Sequence, residues 1–105
     1  MKRGAIWLVN LDPTVGREIK KTRPCVLLSP AEMLDHLRTV IVAPMTTKSR
    51  QAPFRIPLTH GGQKGLILLD QIRTVDKTRL IKKVGVVSVK TLNGTLAALQ
   101  EIFAD

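Results

Sequence analysis

Two short segments hold the residue types that phosphoryl chemistry asks for. Lys20-Lys21-Thr22-Arg23-Pro24 ends a basic loop and leads into an apolar run, and Pro44-Met45-Thr46-Thr47 ends another run with two hydroxyls. Proline fixes the backbone that follows Arg23. The planar arginine fork can then be aimed at an anion and grip it through two donors, while threonine hydroxyls donate to the same group. Such a set suits cleavage of RNA by its own 2′-hydroxyl. There the protein must accept one proton, stabilise charge growing on the phosphoryl oxygens and help the 5′-oxygen leave. Neither a metal nor a covalent intermediate is required. Arginine keeps its proton, so Arg23 serves as a charge stabiliser and not as the base. Glu18, in the same loop, is a carboxylate able to accept a proton, or simply a solvated loop residue. His36 and His60 belong to a residue type that exchanges protons near neutrality, but both fall in connections outside these segments.

Other chemistries find little support. The eight acidic residues, Asp70 and Asp76 among them, are scattered, and there is no HExxH and no Cys/His pair. No metal site and no cofactor is therefore expected. Gly61-Gly62-Gln63-Lys64-Gly65 lacks the spacing of a phosphate-binding loop and reads as a turn. Cys25 sits in the apolar run Cys25-Val26-Leu27-Leu28 and reads as a small core residue. As the only cysteine it can form no internal disulfide, which fits a reducing cytoplasm.

Charge points to the partner. Among 105 residues, 17 Lys+Arg stand against 8 Asp+Glu, a formal charge of +9. Between His36 and Leu69 there is no acidic residue, while Arg38, Lys48, Arg50, Arg55 and Lys64 are all positive. This balance implies a polyanion, the alternative being a surface charged only for solubility. The cations lie among strands and turns, not on one amphipathic helix, which favours nucleic acid over a membrane surface. With only Trp7, Phe54 and Phe103 as aromatics, no base-stacking platform of the RRM kind is expected, and the phosphates become the handle, with a few base contacts from loops. The candidate RNA contacts are Arg17, Lys20 and Lys21 in the first loop, Thr47, Lys48 and Arg50 in the second, and Lys64 near the third. No run approaches the roughly 18 apolar residues of a membrane span, and the apolar run Ala5–Val9 is too short for a signal peptide.

The elements that would position these residues are short. Ile6–Leu11, Pro24–Ser29, Thr39–Pro44, Phe54–Leu58, Leu66–Ile72 and, more weakly, Lys82–Val87 read as strands. Asp12–Arg23, Met45–Ala52 and Thr59–Lys64 read as the loops between them, the last with a Gly-Gly hairpin signal. Pro30–Arg38 is a connection with room for one helical turn. Ser88 reads as an N-cap, and Val89, Leu92, Leu96, Leu99 and Phe103 mark one face of a closing helix that carries Asn93 and Gly94 in its middle. The expectation is one mainly β domain over residues 1–105, a small barrel with a C-terminal α-helix.

Four ordered blocks carry a family resemblance. They are Arg3-Gly4-Ala5-Ile6-Trp7-Leu8-Val9 with Leu11-Asp12-Pro13-Thr14, then Lys21-Thr22-Arg23-Pro24, then Val42-Ala43-Pro44-Met45-Thr46, and Leu69-Asp70-Gln71-Ile72-Arg73-Thr74-Val75-Asp76-Lys77. Over nearly its whole length the chain resembles the MazF/PemK/Kid toxin endoribonucleases. The resemblance implies an SH3-like barrel of the CcdB/PemK kind working as a homodimer. It implies metal-independent cleavage of single-stranded RNA, with messenger as substrate, leaving a 2′,3′-cyclic phosphate and a 5′-hydroxyl. It also implies an antitoxin whose acidic tail fills the RNA groove, in keeping with the basic balance here. The family's catalytic arginine and threonine fall on Arg23 and Thr46. A Kid-like catalytic aspartate falls on Asp70, which as a structural residue would instead make a strand-end hydrogen bond. That branch's accompanying arginine and loop histidine are replaced here by Leu68 and Arg17, so the Kid-like set is broken. Two non-ribonuclease readings stay open at this level: a CcdB-like toxin that inhibits gyrase, and an RNA-binding barrel without catalysis.

Overall fold

The computed structural model describes residues 1–105. Its strands are β1 (Ala5–Asn10), β2 (Thr22–Leu27), β3 (Thr39–Thr46), β4 (Arg55–His60), β5 (Gln63–Leu68), β6 (Arg73–Asp76) and β7 (Leu80–Val86). Helix α1 (Ala31–His36) lies between β2 and β3, and helix α2 (Val89–Ile102) follows β7. The sheet runs β4-β5-β3-β2-β1-β7, with β6 pairing β3 beside this path, and every pairing is antiparallel. No helix is long and apolar enough to cross a membrane.

The β-branched and apolar runs make the interior. Val9, Cys25, Leu27, Val40, Val42 and Val75 pack in one buried cluster, and Ile6, Val26, Ala43, Met45 and Ile67 in a second. Successive strand residues thus go to opposite faces of the sheet, and both faces are covered. A fully buried Leu, Ile or Val side chain of this kind contributes roughly 1.5–3 kcal/mol. Helix α2 covers the second cluster with Ala98, Leu99 and Ile102. Ser88 caps it as expected, its Oγ accepting from Thr91 N at 3.1 Å. Leu92, Leu96 and Leu99 are half-buried on the expected face, but its two ends are not. Val89 and Phe103 are 75% and 73% exposed, while Thr95 is fully buried and satisfies its hydroxyl by donating to Thr91 O at 2.8 Å.

Three strand boundaries depart from the sequence reading. Leu66–Ile72 is not one strand: β5 ends at Leu68, a 3-10 turn covers Leu69–Gln71, and β6 begins at Arg73. The apolar run continues through the turn because Leu69 is buried there, so periodicity alone hides the break. The strand read from Pro24 begins two residues earlier, so Thr22 and Arg23 lie inside β2, Arg23 paired with Val9, and not in a loop end. The Gly61-Gly62 hairpin is confirmed but tighter than the loop Thr59–Lys64, since φ of +58° and +78° turns the chain in two residues and leaves His60 paired with Gln63.

The two outer strands of this path, β4 and β7, approach each other through side chains. A Cβ on Gly85 in β7 would stand 2.9 Å from His60 Cε1 and 3.3 Å from its Nδ1. The glycine therefore leaves the space in which the imidazole closes the curled sheet.

Candidate active site

Arg23 and Thr46 come together because β2 and β3 share one register. The ladder pairs Leu27 with Val42, Val26 with Ala43 and Cys25 with Pro44. Two residues further along, the same register sets Arg23 opposite Thr46. The β2–β3 ladder stops at Cys25 and Pro44, while Arg23 stays paired with Val9 of β1 and Thr46 with Leu66 of β5, so the two side chains stand where β2 and β3 part.

The side chains face a recess of roughly 200 Å³ lined by Arg23, Pro24, Met45, Thr46, Thr47, Leu58, His60, Gln63 and Gly65. Leu58, His60, Gln63 and Gly65 share one face of the β4–β5 hairpin, since His60 pairs with Gln63 and Leu58 with Gly65. Gly65 is needed for close approach: a Cβ there would lie 2.9 Å from the Thr46 carbonyl oxygen.

Both key residues are held by one atom and free at the others. Arg23 Nε donates to the Lys20 carbonyl at 3.2 Å, which fixes the guanidinium and leaves both Nη groups as a fork. Thr46 Oγ1 accepts from Lys48 N at 3.2 Å, so its own proton is available to donate. No carboxylate lines the recess. Its donors suit an anion.

Glu18 and Asp70 do not line this recess; they border a separate one with Ile19, Gln71, Ile72 and Arg73. Glu18 Oε1 accepts from Val15 N at 2.8 Å, bracing the first loop. Asp70 is in the 3-10 turn, and its hydrogen bonds reach the residue that opens β4. Its two oxygens take Arg55 Nε at 3.2 Å and Nη2 at 3.1 Å. That bond with the carboxylate holds the Arg55 guanidinium still more firmly protonated. Arg55 also donates to the Arg50 carbonyl at 3.1 Å, so the pair ties the second loop to the turn.

Of the candidate RNA contacts, only Thr47 lines the recess. Arg17, Lys20 and Lys21 are exposed on the first loop, Lys48 and Arg50 on the second, and Lys64 on β5 itself. Cys25 is buried and pushed up to about 12 by desolvation, against a smaller lowering by Arg73, so the thiol is inert at neutral pH. The recess also takes in Gln63, read only as part of a turn, and His60, set aside as lying in a connection. Their signal was the Gly-Gly pair, because a two-residue turn makes its flanking residues cross-strand partners.

Comparison with known proteins identifies the family. Residues 2–103 match the family model described as PemK-like, MazF-like toxin of type II toxin-antitoxin system. The Escherichia coli endoribonuclease PemK is 38% identical over 108 residues, covering 97% of this chain and 81% of that protein. The endoribonuclease MazF of Staphylococcus saprophyticus is 35% identical over 98 residues, covering 88% and 82%. In fold, MazF from Deinococcus radiodurans superposes with a TM-score of 0.85 at 24% identity, covering 97% of this chain and 94% of that one. A mycobacterial endoribonuclease in complex with its cognate antitoxin gives 0.80 at 22%, covering 96% and 92%. With a family match over almost its full length and relatives above one-third identity, this chain belongs to the PemK-like, MazF-like toxins of type II toxin–antitoxin systems.

Proposed function

We propose that the chain is the toxin endoribonuclease of a toxin–antitoxin pair and cuts single-stranded RNA, messenger above all, without a metal. The observation that carries this reading is the recess in which Arg23 offers two free Nη groups beside a threonine hydroxyl with its proton free. A scissile phosphate there is gripped by the fork, and Thr46 donates to one non-bridging oxygen. The 2′-oxygen attacks phosphorus as the 5′-oxygen departs, giving a 2′,3′-cyclic phosphate and a 5′-hydroxyl. Charge grows on the non-bridging oxygens in the transition state, so donors fixed beforehand act most strongly at that point. The nucleophile belongs to the substrate, and the protein supplies only polar groups.

Exposed cations on the first and second loops and Lys64 hold neighbouring phosphates. The same basic groove suits the acidic tail of a cognate antitoxin, and the working form is a homodimer in the cytoplasm, where the single buried thiol stays reduced. The test is incubation of the purified protein with a long unstructured RNA in excess EDTA, followed by end-group mapping. Discrete cuts ending in cyclic phosphates are expected. Intact RNA from folded protein would overturn the reading, and gyrase supercoiling would be the next assay.

A further inference from the structure

The cleavage needs a group to take the proton from the attacking 2′-hydroxyl, and neither Arg23 nor Thr46 can do so at neutral pH. Among the side chains lining the recess, only His60 is of a type that can. The carboxylates stand elsewhere: Glu18 accepts from the Val15 amide, and both oxygens of Asp70 are taken by Arg55. His36 is exposed at the end of α1.

His60 is placed by three features. The Gly61-Gly62 turn fixes it opposite Gln63. Gly85 receives the Nδ1–Cε1 edge of its ring. Ile6 Cδ1 walls the same spot, 3.6 Å from where a Gly85 Cβ would stand. Nε2 lies farther from the Gly85 position than Nδ1 and Cε1 do. Arg23 is the only other residue lining the recess with an ionisable side chain.

We propose that His60 accepts the 2′-hydroxyl proton, working across the recess from Arg23 and Thr46; the inference rests on the ribonuclease reading above. The 2′-oxygen–phosphorus bond forms while the proton passes to Nε2. The phosphorus–5′-oxygen bond breaks, and the 5′-oxygen leaves with the bonding pair and is protonated by water. His60 then returns its proton to solvent. A positioned base of this kind contributes about 10²–10⁴ in rate.

The experiment compares the wild-type chain with His60→Ala and His60→Gln on a single-stranded RNA containing a mapped cut site, with thermal unfolding followed in parallel. Expected are a fall in kcat of about 10²-fold or more, a nearly constant KM, and partial recovery of His60→Ala by added imidazole. An RNA with sulfur in place of the bridging 5′-oxygen supplies a better leaving group. The defect of His60→Gln should persist on it, because the 2′-proton must still be removed. Variants that cleave at the wild-type rate would overturn the proposal. So would full recovery on the sulfur substrate, which would make His60 the acid. Failure of imidazole to restore His60→Ala, together with a lower unfolding temperature, would assign the ring to closing the sheet alone. A wild-type chain that cuts nothing would instead remove the ribonuclease reading itself.

Discussion

The two ends of the β4–β5 hairpin are built from similar polar residues and behave oppositely. At the turn end, Arg23, Thr46 and His60 meet around an open recess, and the arginine fork and threonine proton have nothing to bind within the chain. At the other end Arg55 grips both oxygens of Asp70 and the carbonyl of Arg50, so its donors are already in use. An arginine whose donors point at empty space is poised for a ligand, and one whose donors are filled is part of the scaffold. Residue type does not separate the two. Only the partners do.

That contrast is sharpest in a pair of alanine and asparagine substitutions. Arg23→Ala should lower RNA cleavage by about 10²–10³, the cost of losing one positioned charge-stabilising donor, while thermal unfolding stays unchanged. Wild-type cleavage by a folded Arg23→Ala protein would remove the assigned role. Salt gives the next largest effect. If about five phosphates are neutralised, log affinity for single-stranded RNA should fall with log salt at a slope of roughly −3 to −4, or about a hundredfold between 50 and 200 mM. The slope should flatten by about 0.7 in Arg23→Ala and remain unaltered in Arg55→Gln. A flattening in Arg55→Gln would mean that the scaffold pair opens to bind RNA.

Thr46→Val, which keeps shape and loses the hydroxyl, should slow cleavage by about 10–100-fold, as for one hydrogen bond to a charged group. An equal loss of thermal stability would point instead to a structural role. Asp70→Asn should change cleavage by no more than about fivefold, in keeping with an exposed ion pair. A loss as large as that of Arg23→Ala would bring Asp70 back into the chemistry. The smallest effect concerns Cys25, two residues from Arg23 on β2. Its thiol is held up at about 12, so a thiol-directed reagent at pH 7 should leave the folded protein unlabelled and fully active, and rapid labelling would show that β2 opens.

Sequence and structure agree where a residue's own chemistry decides its place. Gly61-Gly62 announces a tight hairpin, Ser88 a helix cap, and the β-branched run of β3 a central strand. Register is what the pattern could not supply. Nothing local says that Arg23 lies opposite Thr46; residue type brought the two segments to one phosphate, and resemblance singled out these two residues. Leu69 keeps an apolar stretch unbroken across a 3-10 turn, which misplaced Asp70 at a strand end. His60 was hidden by a loop drawn four residues too wide, and Gly85, the position that makes room for its ring, lies 25 residues downstream with no signal of its own.

The closing of the sheet through a side chain, not through a further ladder, has a consequence for life at high concentration. β4 and β7 keep unused backbone groups along their outer edges, the usual template for strand-to-strand aggregation. Pro57 takes one donor out of β4, and Lys82 and Lys83 load β7 with adjacent exposed charges. A second copy approaching edge to edge thus meets a missing donor on one side and like charge on the other. The lysines that make the surface basic also oppose pairing of two such barrels through their strand edges.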